Sequence, residues 1–242
     1  MDSREGRDTS SRNMRDDKDS VYNSKERVEL VEKAKHAEQA KRYDDMLVAM
    51  HEVAKQKFEL NEEERNLWIL AFTNLTQEKG QEIRNLNEKK KKSKKPLVPE
   101  VENVKNWTKP SLEDRIKSIK ESVNTLCINM ITIIEKYLLP TSLTPDSKAL
   151  YYLMKAICYQ YMAESSRSAI EAQKLNEKAI EAYEKGSMVA HDELPATNLL
   201  RLDIAFYFSV LCSAMSRHER ACSIANEAIK EVLDDIRKHS DE

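Results

Sequence analysis

Histidine, glutamate and cysteine are the residue types from which zinc and thiol sites are built, so their spacing limits the chemistry of the chain. His51 and Glu52 begin the pattern HExxH, in which two histidines one turn apart bind zinc and the glutamate acts as a base. The position of the second histidine is Lys55, so we expect no metal site here. No spacing of serine, cysteine, histidine and aspartate indicates a nucleophile with its base, because such groups meet only in space. We therefore expect no catalytic residue, no cofactor and no enzymatic activity.

Glycine is scarce, with only Gly6, Gly80 and Gly186 among 242 residues. Loops that cradle phosphates, such as GxGxxG and GxxxxGK[ST], need clustered glycines, so no nucleotide-binding loop is predicted. Folds rich in β-hairpins also use glycine in many of their turns, and the scarcity favours helices instead. The formal net charge of −2 gives no electrostatic reason to expect a nucleic-acid partner.

The cysteines indicate the compartment. They lie in apolar stretches without a CxxC pair, and we interpret them as buried free thiols of a reducing environment: Cys127, Cys158, Cys212 and Cys222. The N-terminus is too polar for a signal peptide, and no apolar run approaches the ~20 residues of a membrane-spanning helix. We expect a cytoplasmic protein with no membrane partner, and nuclear localisation is the alternative.

A run of lysines interrupts the middle of the chain, because six of the seven residues from Lys89 to Lys95 are lysine. Such a run can act as a nuclear-import signal or as a dock for an acidic partner. A solvated loop is the simpler interpretation, and the prolines that follow, at positions 96, 99 and 110, favour it.

Apolar residues at helical spacing are the main secondary-structure signal. The clearest stretch has apolar positions separated by three and four residues in turn: Ile116, Ile119, Val123, Leu126, Met130, Ile133 and Tyr137. No segment alternates with period two for long enough to propose a strand. We count eight helices joined by short turns, which predicts an all-α fold, an antiparallel helical array.

Polar residues placed just before the apolar stretches predict where several helices begin. A capping box pairs an N-cap side chain with an acidic side chain three residues later, and proline is favoured at the first helical position. The predicted N-caps with their partners are Asn61 with Glu64, Ser111 with Asp114, Thr144 with Pro145, and Ser216 with Glu219. Asp44 is the predicted cap of the second helix.

The chain divides by composition into a tail and one helical domain. Residues 1–23 are polar and are predicted to be a disordered N-terminal tail. Residues 24–242 form the helical domain, in which residues 88–110 are a Lys/Pro-rich linker between the third and fourth helices.

Five stretches in order along the chain resemble proteins of the 14-3-3 family. They are Lys33-Ala34-Lys35 with Ala37 to Ala40 and Arg42 to Met46; Glu63 to Leu67 with Ala71 and Asn74; Glu135 to Pro140; Tyr159 to Glu164; and Arg201-Leu202 with Ala205 and Phe208 to Val210, then Ala221 to Ala225. The resemblance implies a nine-helix fold, of which eight helices are present here because the sequence ends at Glu242. It also implies a concave groove that binds phosphoserine or phosphothreonine segments of client proteins, and therefore an adaptor.

The positions that the family uses to hold the phosphate differ in this chain. The family has a lysine and an arginine on the third helix and an Arg-Tyr pair on the fifth. The matching residues are Thr73, Gly80, Gln160 and Tyr161, so only the tyrosine is kept. An asparagine on the seventh helix that bonds the ligand backbone is replaced by Tyr207.

Other family positions are kept, and they are the candidate site. For binding a peptide or an anion, the matching residues are Tyr161, Lys155, Arg84, Arg201, Val210 and, at the rim, Asn66. For the dimer interface, they are Ala37, Ala40, Arg42, Asp45 and Ile119. The resemblance thus implies client proteins and a homodimer or a heterodimer with another 14-3-3 chain.

Two functional hypotheses follow. The first is a divergent adaptor that binds protein segments in a helical groove with weakened or lost recognition of phosphoserine and phosphothreonine. The alternative is a regulatory subunit that pairs with a conventional 14-3-3 chain and binds no client itself.

Overall fold

The computed structural model describes residues 10–93 and 110–240, and the side chains of residues 25–92 and 110–238. Within these ranges the protein has eight long helices and no strand, which confirms the predicted all-α class. They are α1 (Ser10–Gln39), α2 (Tyr43–Lys55), α3 (Glu62–Ser93), α4 (Leu112–Ile133), α5 (Pro145–Ser165), α6 (Ala169–Glu193), α7 (Leu199–Ala214) and α8 (His218–Ser240). A π-helical turn, Ile134–Leu138, and a short α-helical turn, Leu139–Thr141, continue α4.

Three of the five predicted N-caps begin helices as expected. Asp44 does not, because α2 begins at Tyr43 with Arg42 at the N-cap, so Asp44 lies inside the first turn. Asn61 and Glu64 exchange backbone and side-chain hydrogen bonds, each of 2.9 Å, at the start of α3. Ser111 forms a capping box with Asp114, and the Thr144 hydroxyl accepts a hydrogen bond from the Ser147 backbone N–H. These bonds satisfy donors that every helix start leaves unpaired.

The predicted N-cap at Ser216 is wrong. Ser216 has φ of 59°, in the left-handed region, and its N–H bonds to the Ser213 carbonyl at the end of α7. The first carbonyl of the α8 ladder is that of Arg217, which accepts from Ala221. Ser216 therefore closes α7 instead of opening α8, because its left-handed backbone belongs to the end of α7 and the N-cap position of α8 falls on Arg217.

The boundaries of the polar segments also differ from the prediction. α1 begins at Ser10, inside the segment predicted to be a disordered tail, while residues 1–9 lie outside the described residues. α3 continues to Ser93, past the predicted start of the linker at residue 88, and residues 94–109 lie outside the described residues. No glycine or proline falls between residues 10 and 39 or between 81 and 93, so nothing in the sequence breaks either backbone ladder there.

The chain divides into two compact units, Met1–Leu75 and Thr76–Glu242. In the first unit, α1 packs against α2 around Trp68, Phe72 and methionines of α2, all fully buried. The carboxylate of Glu64, itself buried, accepts two hydrogen bonds from the Arg27 guanidinium, of 2.7 Å from Nε and 2.6 Å from Nη2. This bidentate pair ties α1 to the start of α3.

In the second unit, α5 packs against α4 and α6, and α7 packs against α6 and α8. Short connections of three to five residues join α5 through α8, as expected for antiparallel neighbours. The core contains two buried tyrosines, Tyr151 and Tyr183, together with Ile204 and Phe208 of α7. Tyr183 and Phe208 stack with ring centroids 5.5 Å apart.

Three of the four cysteines are buried as predicted, but Cys222 on α8 is exposed. Residues seven apart share a helix face, and Ile229 and Ile236 on the same face are also exposed. The apolar residues at helical spacing on α8 therefore include a face that no other described part of the chain covers. None of the described helices combines the length and the low charge needed to cross a membrane.

Candidate functional site

The second unit brings together polar side chains near the C-terminal end of α5. Tyr161 is half-buried, and burial raises the pKa of its phenol although a hydrogen bond with Thr76 on α3 opposes the shift. The neighbouring Gln160 is also half-buried. These are the two residues that match the Arg-Tyr pair of the resemblance, so this is where an anion would have to bind.

Gln160 is bound by a residue that the sequence did not point to. The Tyr183 hydroxyl on α6 donates a hydrogen bond to Gln160 Oε1. Burial raises the pKa of Tyr183 well above its ordinary value, and the phenols of Tyr207 and Tyr161 lie near enough to raise it further. Three phenols and one amide thus lie close together, and none of these four side chains is a cation.

An apolar surface lies on α7 beside Tyr207. Phe206 is 60% exposed and Val210 is 47% exposed, and the two side chains lie on one side of the helix. The Phe206 ring meets the Tyr207 ring edge-to-face, with centroids 5.3 Å apart. Exposed aromatic and branched side chains grouped in this way are typical of surfaces that bind other proteins. We call Tyr161, Tyr207, Phe206 and Val210 the tyrosine surface.

Lys155 does not point to this surface. It lies six residues before Tyr161 on α5, which puts the two side chains ~120° apart around the helix axis. Its Nζ lies 2.7 Å from Glu135 Oε1 and 5.9 Å from the centre of the Tyr159 ring. The cation is therefore compensated by a carboxylate and held against an aromatic ring.

Arg201 is also turned away from the tyrosine surface, contrary to expectation. It precedes Val210 by nine residues on α7, which puts the two side chains ~180° apart. Its Nη2 binds Glu231 on α8 and lies 2.8 Å from His191 Nδ1, and its Nη1 donates 2.9 Å to the Leu194 carbonyl. This largely buried guanidinium joins the ends of α6, α7 and α8.

The remaining candidates are on α3. Arg84 is exposed and holds Gln81 Oε1 with two hydrogen bonds, of 3.1 Å from Nε and 2.8 Å from Nη2. Gly80, at the arginine position of the family, lies beside Arg84, and a Cβ added at Gly80 would make an ordinary contact of 3.5 Å with Arg84 Nη1. Asn66 is exposed on the first unit.

The candidate dimer residues divide between buried and exposed. Ala37 is buried inside the first unit, so its side chain is not part of the exposed surface. Ala40, Arg42 and Asp45 are exposed, with an ion pair of 3.1 Å between Arg42 Nη1 and Asp45 Oδ2. Val48, one turn after Asp45 on α2, is 58% exposed. Ile119 is half-buried on α4 of the second unit.

The partners that hold the candidate cations could not be identified from the sequence. Lys155 is held by Glu135, and Arg201 is held by Glu231 and His191. Each of these partners lies on a different helical segment from its cation, so only the packing of the helices brings them together. No group of three or more histidine, cysteine, aspartate or glutamate side chains in the described residues has the arrangement of a metal site.

Comparison with known proteins agrees with the resemblance seen in the sequence. The family model of the 14-3-3 protein matches residues 33–242. The chain is 34% identical over 215 residues to the 14-3-3-like protein GF14-G of Oryza sativa subsp. japonica, covering 88% of this chain and 80% of the relative. It is 32% identical over 218 residues to the checkpoint signal transducer rad24 of Schizosaccharomyces pombe, covering 89% and 77%. It is also 32% identical over 220 residues to 14-3-3 protein homolog 2 of Echinococcus multilocularis, covering 90% and 84%.

Proposed function

Because this chain belongs to the 14-3-3 family of non-enzymatic adaptor proteins, we propose that it binds segments of client proteins with weakened or lost recognition of phosphoserine and phosphothreonine. The observation that carries the proposal is the neutral environment of Gln160. Its amide oxygen accepts the Tyr183 hydroxyl, where the family has an arginine that binds phosphate.

The cations that remain do not replace that arginine. Lys155 is paired with Glu135, and Arg201 is paired with Glu231 on the side of α7 opposite to Val210. Arg84 is exposed and keeps its charge free, but it binds the neutral Gln81 at the surface, where solvent weakens its attraction for an anion.

The expected loss of affinity is large. A phosphate group with a charge near −2 loses its hydration on binding and needs cations or several donors in exchange. Hydrogen bonds to charged groups contribute about 1.5–3 kcal/mol each, so three missing cations weaken binding by several kcal/mol, on the order of a thousandfold.

The tyrosine surface suits a different client segment. Phe206 and Val210 offer exposed apolar area, while the phenols of Tyr161 and Tyr207 offer hydrogen bonds without charge. Aromatic residues grouped with apolar neighbours form the energetic centres of many protein interfaces. Uncharged, partly apolar segments are therefore the preferred clients.

Fluorescence anisotropy tests this proposal with a labelled 14-3-3-type phosphoserine peptide and its unphosphorylated twin. We expect either no binding or similar dissociation constants for the two peptides, with little change between two salt concentrations. Tight binding of the phosphopeptide alone, weakened strongly by salt, would contradict the proposal, since screening acts on charge-dependent contacts.

We also propose dimerisation, as a homodimer or with another 14-3-3 chain. The exposed Val48 beside the Arg42–Asp45 pair supports it, because apolar area contributes more to an interface than an exposed ion pair does. If the tyrosine surface binds no client, the regulatory-subunit alternative is favoured. Native mass spectrometry after mixing with a conventional family member then decides: mixed dimers support that alternative, and their absence excludes it.

The reducing compartment implied by the free cysteines supports a cytoplasmic location, with the nucleus as the alternative. Fractionation of cells that express the tagged full-length chain measures this directly.

A further inference from the structure

A cavity of about 330 Å³ opens where α6, α7 and α8 meet in the second unit. This volume is at the lower end of the range for ligand-binding pockets. The cavity does not belong to the tyrosine surface, because it lies on the Arg201 side of α7, opposite to Val210.

The floor of the cavity is apolar. Leu202 and Ala205 of α7 meet Ile224 and Ala228 of α8, and all four are half-buried. Met188 of α6 stands at the wall with 61% of its surface exposed. A flexible thioether at the edge of such a floor adapts its shape to an aliphatic chain.

The rim of the cavity is acidic. Four of its lining residues are carboxylates: Glu184, Asp192, Glu227 and Glu231. Two of the four are compensated within the protein, because Glu184 pairs with Arg220 and Glu231 pairs with Arg201 and His191. Arg201 itself is engaged by Glu231, His191 and the Leu194 carbonyl, so it is not available to an incoming anion.

Asp192 and Glu227 are the two rim carboxylates that remain. Both are exposed, and neither has a cationic partner in the described part of the chain. They lie on different helices, α6 and α8, at the edge of the same cavity. An anion would be repelled here, and a purely apolar ligand would leave both carboxylates uncompensated.

We propose that this cavity binds a lysine or arginine side chain presented by a partner protein. The aliphatic stem of such a side chain lies on the apolar floor while its charged head reaches the rim, which is how these residues usually cover apolar surface. Asp192 and Glu227 bind the charged head, and Met188 closes over the stem. The site is independent of the tyrosine surface, so the protein has two separate surfaces for partners.

The direct probes are N-acetyl-arginine methylamide and N-acetyl-lysine methylamide, titrated into the full ¹⁵N-labelled chain and followed by NMR. We expect saturable shifts of the amides of Met188, Asp192, Ile224 and Ala228, with a dissociation constant on the order of 1 mM for a ligand of this size. N-acetyl-glutamine methylamide, which has a shorter stem and a neutral amide in place of the charged head, should produce no saturable shift.

Variants separate a shaped site from general attraction to acidic surface. Asp192→Asn with Glu227→Gln should weaken binding of the arginine probe about tenfold, since each exposed charge contributes modestly. Asp203→Asn with Glu219→Gln, exposed positions of α7 and α8 outside the cavity, makes the same change in charge and should keep the wild-type dissociation constant. Ala228→Met, which fills the floor and keeps both carboxylates, should block binding while the thermal midpoint confirms folding.

Four results would overturn the proposal. They are equal binding of the glutamine probe, wild-type affinity in the Asp192→Asn, Glu227→Gln variant, an equal loss in the control variant, and the absence of saturable shifts around the cavity.

Discussion

The phenol of Tyr183 on α6 donates its hydrogen bond to the amide oxygen of Gln160 on α5. The residue at the phosphate-binding arginine position is therefore held by a neighbour inside the protein. An arginine at this position has no acceptor to offer the Tyr183 hydroxyl, because a guanidinium only donates hydrogen bonds. Tyr183 and Gln160 thus form a matched pair, and neither side chain is a cation that could bind a phosphate.

The buried Tyr183 phenol should make the protein less stable at alkaline pH. Burial raises its pKa in the folded state above the ordinary value of 10.0, while the unfolded chain releases the proton near that value. Its contribution to stability is therefore complete below about pH 10 and is lost progressively as the pH rises above it. The free energy of unfolding, measured by urea denaturation from about pH 8 to about pH 11, should fall over the upper part of this range.

Tyr183→Phe isolates this effect, because Tyr159 and Tyr161, whose pKa values are also raised by burial, remain in both proteins. The variant should lose about 1 kcal/mol at neutral pH with the hydrogen bond to Gln160, and its alkaline slope should be shallower. Identical slopes for variant and wild type would show that Tyr183 does not stay protonated as proposed.

His51 on α2 should destabilise the first unit in acid. Burial, helped by the charge of Lys55, lowers the pKa of His51 from 6.5 to about 4, and Glu52 opposes the shift. The unfolded chain takes up the proton first, so stability is complete above about pH 6.5 and is lost as the pH falls through this value toward about pH 4. The loss attributable to His51 approaches about 3 kcal/mol at the acid end.

Lys55→Gln removes the smaller of the two causes and should reduce this acid loss in part, whereas His51→Gln should remove it. The measurement is the free energy of unfolding at about pH 7.5 and about pH 4.5 for the three proteins. An acid loss in His51→Gln as large as in the wild type would assign the effect to other groups.

Replacing each of the two helical glycines in the second unit by alanine should change the free energy of unfolding in opposite directions. At Gly80 an added Cβ meets only Arg84 Nη1, at an ordinary 3.5 Å, so Gly80→Ala should stabilise by about 0.5–1 kcal/mol through helix propensity. At Gly186, which is buried, an added Cβ would lie 3.1 Å from Tyr152 Cβ. The crowding there should outweigh propensity, and Gly186→Ala should destabilise by about 1 kcal/mol.

Thermal and urea denaturation of the two variants, each compared with the wild type, measure this difference. A gain of stability in Gly186→Ala equal to that in Gly80→Ala would mean that α5 and α6 move apart without cost.

The sequence predicted the helices well because each depends on information that is local. The three-and-four spacing of α4 and the caps at Asn61, Ser111 and Thr144 are all read within a few residues. Ser216 was misassigned for the same reason, since its role at the end of α7 depends on two helices sharing one short turn.

The surroundings of the candidate site residues could not be predicted in the same way, because they depend on which face of each helix meets which neighbour. The resemblance suggested Lys155 and Arg201 as cations that bind a client. Lys155 lies on a different side of α5 from Tyr161 and pairs with Glu135. Arg201 lies on a different side of α7 from Val210 and pairs with Glu231. Counting 100° per residue from Val210 already places Arg201 on the opposite side of α7. The hydrogen bond of Tyr183 could not be predicted, because a buried tyrosine occupies the same apolar positions of a helix whether or not its hydroxyl has a partner.

The central claim is that phosphate recognition is weakened because cations are missing, and restoring them tests it most directly. The variant carries Gly80→Arg and Gln160→Arg, both in the second unit, with Tyr183→Phe to remove the hydroxyl that would lose its acceptor. Anisotropy with the phosphoserine peptide and its unphosphorylated twin should show a gain of about a hundredfold or more for the phosphopeptide alone, reduced strongly by salt. The wild type should bind the two peptides within about tenfold of each other. A wild type that already prefers the phosphopeptide strongly, with no further gain in the variant, would contradict the account.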